Sequence, residues 1–94
     1  MSDKELVELA KLAVRTWGYD AQCSMMIEEC AEVIQVLAKR KRNINSRDMH
    51  DMINEFVDLE IMLTQMRVMF PSPLWLDIRY QKIDRLKKLL GIKK

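Results

Sequence analysis

The chain has 94 residues, 49% apolar and 32% charged, which sets the expectation of one globular domain over 1–94. Two glycines and two prolines are too few to punctuate a turn-rich β fold, and no segment holds the clean period-two alternation of a half-buried strand. A net charge of +2 is too small for a chain-wide basic nucleic-acid surface, and no run approaches the ~18 to 20 apolar residues of a membrane span.

The N-terminal stretch MSDKELVELA is charged at once and lacks the apolar region of a signal peptide. A first helix is expected from Ser2 or Asp3 to Trp17. Leu6, Leu9, Ala10, Ala13 and Val14 form its apolar stripe, and Gly18 stops it. Asp20 is the expected cap of a second helix over about 21–40. The run KRKRNINSR breaks it. Its cations suit a helix C-terminus, and Asn43, Asn45 and Ser46 favour a loop. A third helix is expected over about 47–69, with Ser46 as its cap, and PSP at 71–73 ends it. A fourth runs over about 74–90 and stops at Gly91. The fold class is therefore all-α with about four helices. Cys23 and Cys30 lie on one helix, ~10 Å apart, too far for a mutual disulfide. Free thiols fit a reducing cytosol, so a cytoplasmic location is expected.

Charge is distributed in blocks. Residues 1–38 carry three basic and seven acidic groups, and residues 48–66 carry five acids and no Lys or Arg. Between and after them stand basic blocks, five cations at 39–47 and eight against two acids at 67–94. Such alternation suggests acidic and basic clusters that face each other across a fold.

The second helix concentrates this pattern. With ~100° per residue and Ile27 at zero, the residues Ile27, Cys30, Ala31, Ile34, Leu37 and Ala38 share one arc, the expected core stripe. Glu28, Glu32 and Glu29 fall at about 100°, 140° and 200° on the same wheel. Met25 and Val36 share their patch, and no Lys or Arg occurs from Thr16 to Ala38. A helix that is apolar nearly all round is packed on both sides, so these acids are expected to be partly buried. The third helix repeats the feature. Glu55 and Asp58 are three apart, Asp51 and Asp48 extend their face one way, and Leu59, Met62 and Met66 extend it the other.

Buried carboxylates without counter-charge are costly. Either they hold protons or a cation sits among them. Oxygen ligands from two facing helices suit Mg²⁺ or Mn²⁺. A di-iron site would call for a Glu-x-x-His from each of two helices, and His50 is the chain's single histidine.

E-E-C-A-E at 28–32, then 22 residues, then E-F-V-D at 55–58, resembles the E-E-x-x-E…E-x-x-D signature of the MazG-like all-α nucleoside triphosphate pyrophosphohydrolases. Trp17-Gly18, Gln22, the run at 26–35, the run at 55–66 and the Lys82…Arg85-Leu86 spacing extend the likeness to about residues 15–90. The resemblance implies a homodimer or tetramer whose subunits share a four-helix-bundle core. It implies Mg²⁺-dependent cleavage of a nucleoside triphosphate to the monophosphate and pyrophosphate. By position, Glu29, Glu32, Glu55 and Asp58 correspond to metal ligands, and Glu28 orients a ligand, holds a second ion or acts on water. Asn54 departs from the pattern, since relatives often carry an acid there.

Under that reading, Lys39, Arg40, Lys82 and Arg85 are candidates to hold phosphates, and Trp17 and Gln22 to hold the base. Taken singly, the four cations also read as solvated helix ends, and Trp17 as core. The competing class is a non-enzymatic helical oligomer, an interaction module with a structural cation site. Nucleic-acid binding through KRKR at 39–42 is disfavoured, because the patch is short, lacks aromatics and is flanked by acidic blocks.

Overall fold

The computed structural model describes residues 3–42 and 46–92. Along them run α1 (Asp3–Trp17), α2 (Tyr19–Arg42), α3 (Ser46–Met69) and α4 (Leu74–Leu89), and no strand occurs among the described residues. The all-α expectation and its helix order hold. Ser2 as a cap and the loop at Asn43 and Asn45 lie outside the described residues. So do the cap expected from the Ser46 side chain and the place of the Asp48 side chain.

One residue both closes α1 and opens α2. Gly18 takes φ +89°, the left-handed conformation that glycine adopts without steric cost. Its N–H donates to the Val14 carbonyl at 2.8 Å, and its carbonyl accepts from the Gln22 N–H at 3.1 Å. The second helix therefore begins at Tyr19, not Ala21, and Asp20 lies in its first turn rather than capping it. There its charge still suits the positive end of the helix dipole.

The α3–α4 junction is held by its own side chains. The Ser72 Oγ accepts from the Leu74 N–H at 3.1 Å, and the Trp75 indole donates to the Phe70 carbonyl at 2.7 Å. The Arg67 guanidinium lies 5.3 Å from the centre of the Trp75 ring. At its far end α4 closes as a Schellman motif. Gly91 at φ +77° donates to Lys88 at 3.0 Å, and Ile92 donates to Lys87 at 2.8 Å.

α2 packs chiefly on α3, and α1 packs on α3 with a smaller contact to α2. Ala10, Val14, Met52, Met62 and Met69 are buried, together with Gln22 and Gln65. α4 buries no residue and lies along none of the other three helices.

The arc expected to be the core of α2 is not. Ile27 is 70% and Ile34 67% exposed, Ala31, Leu37 and Ala38 are exposed, and Cys30 is half-buried. Leu9 of the α1 stripe is also exposed. The reason is geometric. α3 covers the opposite side of α2, and none of the described residues covers the aliphatic arc. The accessible surface is 7868 Å², against about 5,700 Å² for a compact monomer of this mass. The radius of gyration is 16.2 Å, where about 12 Å would fit a compact chain. Among the described residues, no helix is long and apolar enough to cross a membrane.

Candidate functional site

α2 and α3 run antiparallel and meet in layers. Gln22 donates an amide hydrogen bond to Gln65. Met25 and Met62 line one groove. Glu29 lies within electrostatic reach of Asp58, and carboxylate oxygens of Glu32 and Glu55 lie within 4.8 Å of each other. The positions 22, 25, 29 and 32 on α2 and 55, 58, 62 and 65 on α3 share steps of three, four and three, the spacing that keeps residues on one helical seam. One seam thus carries an amide layer, a thioether layer and two carboxylate layers.

At the carboxylate end, oxygens of Glu29, Glu32 and Glu55 all lie within 4.8 Å of one another. Glu29 and Glu55 are half-buried and Glu32 is exposed. Burial raises the Glu29 carboxyl above its ordinary pKa, and the charges of Glu32 and Asp58 add to the effect. Glu55 is pushed up to about 6, first by its hydrogen bond with Glu32, then by burial and the neighbouring charges. Carboxylates crowded together disfavour ionisation in just this direction.

Glu29 Oε2 and Glu55 Oε2 are buried without a hydrogen-bond partner. Lys11 pairs with Glu8, and His50 Nδ1 stands 4.0 Å from Asp51, and neither contact reaches this cluster. An all-oxygen donor set with two orphaned, buried oxygens fits a hard divalent cation. Asp58 stands close enough for its charge to act on both Glu29 and Glu55.

At the other end of the seam, Trp17, Gln22, Met25, Met62 and Gln65 border a groove of about 600 Å³. Trp17 is 64% exposed there, whereas Gln22 and Gln65 are 3% and 7% exposed. The fold therefore brings together three of the four carboxylates expected as ligands, Glu29, Glu32 and Glu55, with Asp58 outside that group but near enough for its charge to act on it, and separately brings Trp17 beside Gln22. Glu28 is exposed next to the cluster, and its charge acts on Glu29.

The four expected phosphate cations are not gathered within this chain. Lys39 and Arg40 are exposed near the far end of α2, where Lys39 borders a small cleft with Val36, Asp51 and Met52. Lys82 and Arg85 are exposed on α4, which is not packed against the seam.

Gln65 was not singled out from the sequence. The three-four-three step, present in both helices, is the signal that finds it. In comparisons with known proteins, no family model, no curated protein and no solved structure matches the chain.

Proposed function

We propose that this chain is a Mg²⁺-dependent nucleoside triphosphate pyrophosphohydrolase of the MazG-like kind, converting an NTP or dNTP to the monophosphate and pyrophosphate. The observation that carries the reading is the cluster of Glu29, Glu32 and Glu55, with two buried orphan oxygens and no basic partner among the described residues. Glu29, Glu32, Glu55 and Asp58 would hold Mg²⁺, or Mn²⁺ in its place. The ion, when bound, supplies positive charge to phosphoryl oxygens that would otherwise be repelled by this cluster.

The chain's own groups do the rest. Among Glu28, Glu29 and Glu32, a carboxylate not saturated by metal takes the proton of the attacking water. Trp17 stacks on the base and Gln22 offers it an amide. Lys39, Arg40, Lys82 and Arg85 neutralise the phosphates, and because they are scattered over one chain the reading requires some of them to come from a second copy. The exposed Ile27–Ile34 arc and roughly 2,000 Å² of surface beyond that of a compact monomer support a homodimer or tetramer. The free thiols Cys23 and Cys30 suit a cytoplasmic setting.

The test is pyrophosphate release from a panel of nucleoside triphosphates, with Mg²⁺ or Mn²⁺ and with EDTA, on wild type and Glu32→Gln. Metal-dependent release lost in the variant upholds the reading. No release from folded, oligomeric protein leaves an interaction module, for which the uncovered apolar side chains of α4 speak.

A further inference from the structure

We infer that Gln22 and Gln65 form a paired-amide reader for the hydrogen-bonding edge of a heteroaromatic base, which makes Gln65 a specificity-determining residue. This rests on the nucleotide reading above and adds to it the group that distinguishes one base from another.

Both side chains are more than nine-tenths buried, yet both border the groove beside the largely exposed Trp17. Buried amides in an apolar wall are retained at a cost unless their polar atoms are satisfied. One hydrogen bond joins them, from Gln22 Nε2 to Gln65 Oε1. A glutamine amide has two N–H donors and a carbonyl with two lone pairs. The pair therefore keeps acceptor capacity on Gln22 Oε1 and donor capacity on Gln65 Nε2. An adjacent acceptor and donor complement the donor-and-acceptor edge of a nucleobase. The bond between the two amides fixes each relative to the other, so the pattern is presented as a unit and not by two independent rotors.

Position along the seam supplies the second argument. Seven residues separate Gln65 from Asp58, and seven separate Gln22 from Glu29. Two helical turns are ~10 Å, comparable to the span of a sugar with its 5′-phosphate. The Met25 and Met62 layer lies between, an adaptable apolar floor for the sugar. Amide, thioether and carboxylate layers thus follow the order base, sugar, phosphate.

The experiment is titration calorimetry of the full-length protein in EDTA with the four common nucleoside 5′-monophosphates, and with ribose 5-phosphate as the base-free probe. Gln65→Glu, which can still accept from Gln22 but cannot donate, and Gln65→Met, which does neither, are compared with wild type after circular dichroism shows equal helicity. Wild type is expected to bind at least one monophosphate and to bind ribose 5-phosphate at least ~10-fold more weakly, the size of one lost hydrogen bond to a buried partner. Gln65→Met is expected to lose that margin, and Gln65→Glu to reorder the preference among bases. No base-dependent binding by wild type, or an unchanged base preference in both variants, overturns the inference. The two proposals fail separately. Base-selective binding that depends on Gln65, without hydrolysis of any triphosphate, sinks the pyrophosphohydrolase reading alone. Hydrolysis that needs Glu32 but shows the same KM and base ranking in both Gln65 variants sinks the reader alone.

Discussion

The two faces of α2 invert the usual order of an amphipathic helix. Its aliphatic face, with Ile27 and Ile34, is open, while its acidic face, with Glu29 and Glu32, lies along α3. On an ordinary surface helix the aliphatic stripe would be covered and the carboxylates solvated. The inversion teaches that the fold of one chain is built around the polar seam, and that the hydrophobic face is left over for another surface. Under the proposed function the two go together, with the carboxylate side of α2 holding the metal and the open arc packing on a second copy.

Four measurements break or sharpen that contrast. Glu32→Gln, on the acidic face, is expected to reduce pyrophosphate release by at least ~100-fold, because losing even an outer partner of a metal ligand costs ~10–100-fold. Unchanged turnover would separate the cluster from the chemistry.

On the opposite face, the double variant Ile27→Asp/Ile34→Asp is expected to weaken self-association by ~100-fold or more, since it buries charges in an apolar contact. Light scattering after size exclusion reads this as a fall to monomer mass. An unchanged mass would mean that the arc is not the interface.

A smaller effect follows from the raised carboxyls. Glu55 titrates at about 6 in the fold, against an ordinary value of 4.5. A carboxyl whose pKa is raised by folding penalises the folded state above the raised value and not below the unfolded one. The penalty grows as pH climbs from about 4.5 through about 6 and is complete above it. The melting temperature of metal-free protein is therefore expected to rise by a few degrees between pH 7.5 and pH 5.5. Mg²⁺ is expected to raise it more at pH 7.5 than at pH 5.5. A metal-free melting temperature that falls over this interval would show that the cluster is not strained.

The smallest change is expected at the joint between α1 and α2. Gly18→Ala places a Cβ in open space, so its cost is the left-handed backbone alone, about 1–2 kcal/mol. Thermal or urea denaturation checks it, and a cost near zero would mean that the joint relaxes into another conformation.

Much of this was legible in the sequence, and the parts that were not have physical causes. Gly18, the prolines at 71 and 73, and Gly91 mark breaks because φ and the missing N–H act locally. Spacing groups Glu28, Glu29 and Glu32 on one helix and Glu55 with Asp58 on the other, and it was the resemblance that singled out Glu29, Glu32, Glu55 and Asp58 as ligands. The wheel shows which residues of α2 share a face. It does not show which face meets α3, and so Ile27 and Ile34 were assigned to a core that one chain does not provide. Gln65 was passed over because a polar residue in an apolar stripe reads as an interruption, until its partner across the seam is known. Lys82 and Arg85 came from resemblance to other sequences, and nothing in the local pattern says what α4 packs against.

The raised carboxyl of Glu55, crowded by Glu29 and Glu32, bears on how the cluster would accept a cation. A carboxyl that holds its proton more tightly than usual behaves as an ion exchanger, in which a divalent ion enters as the proton leaves. Below about pH 6 the apparent affinity should fall as hydrogen ions compete for the same oxygens. The heat of binding should then vary with the ionisation enthalpy of the buffer, which collects what the site releases.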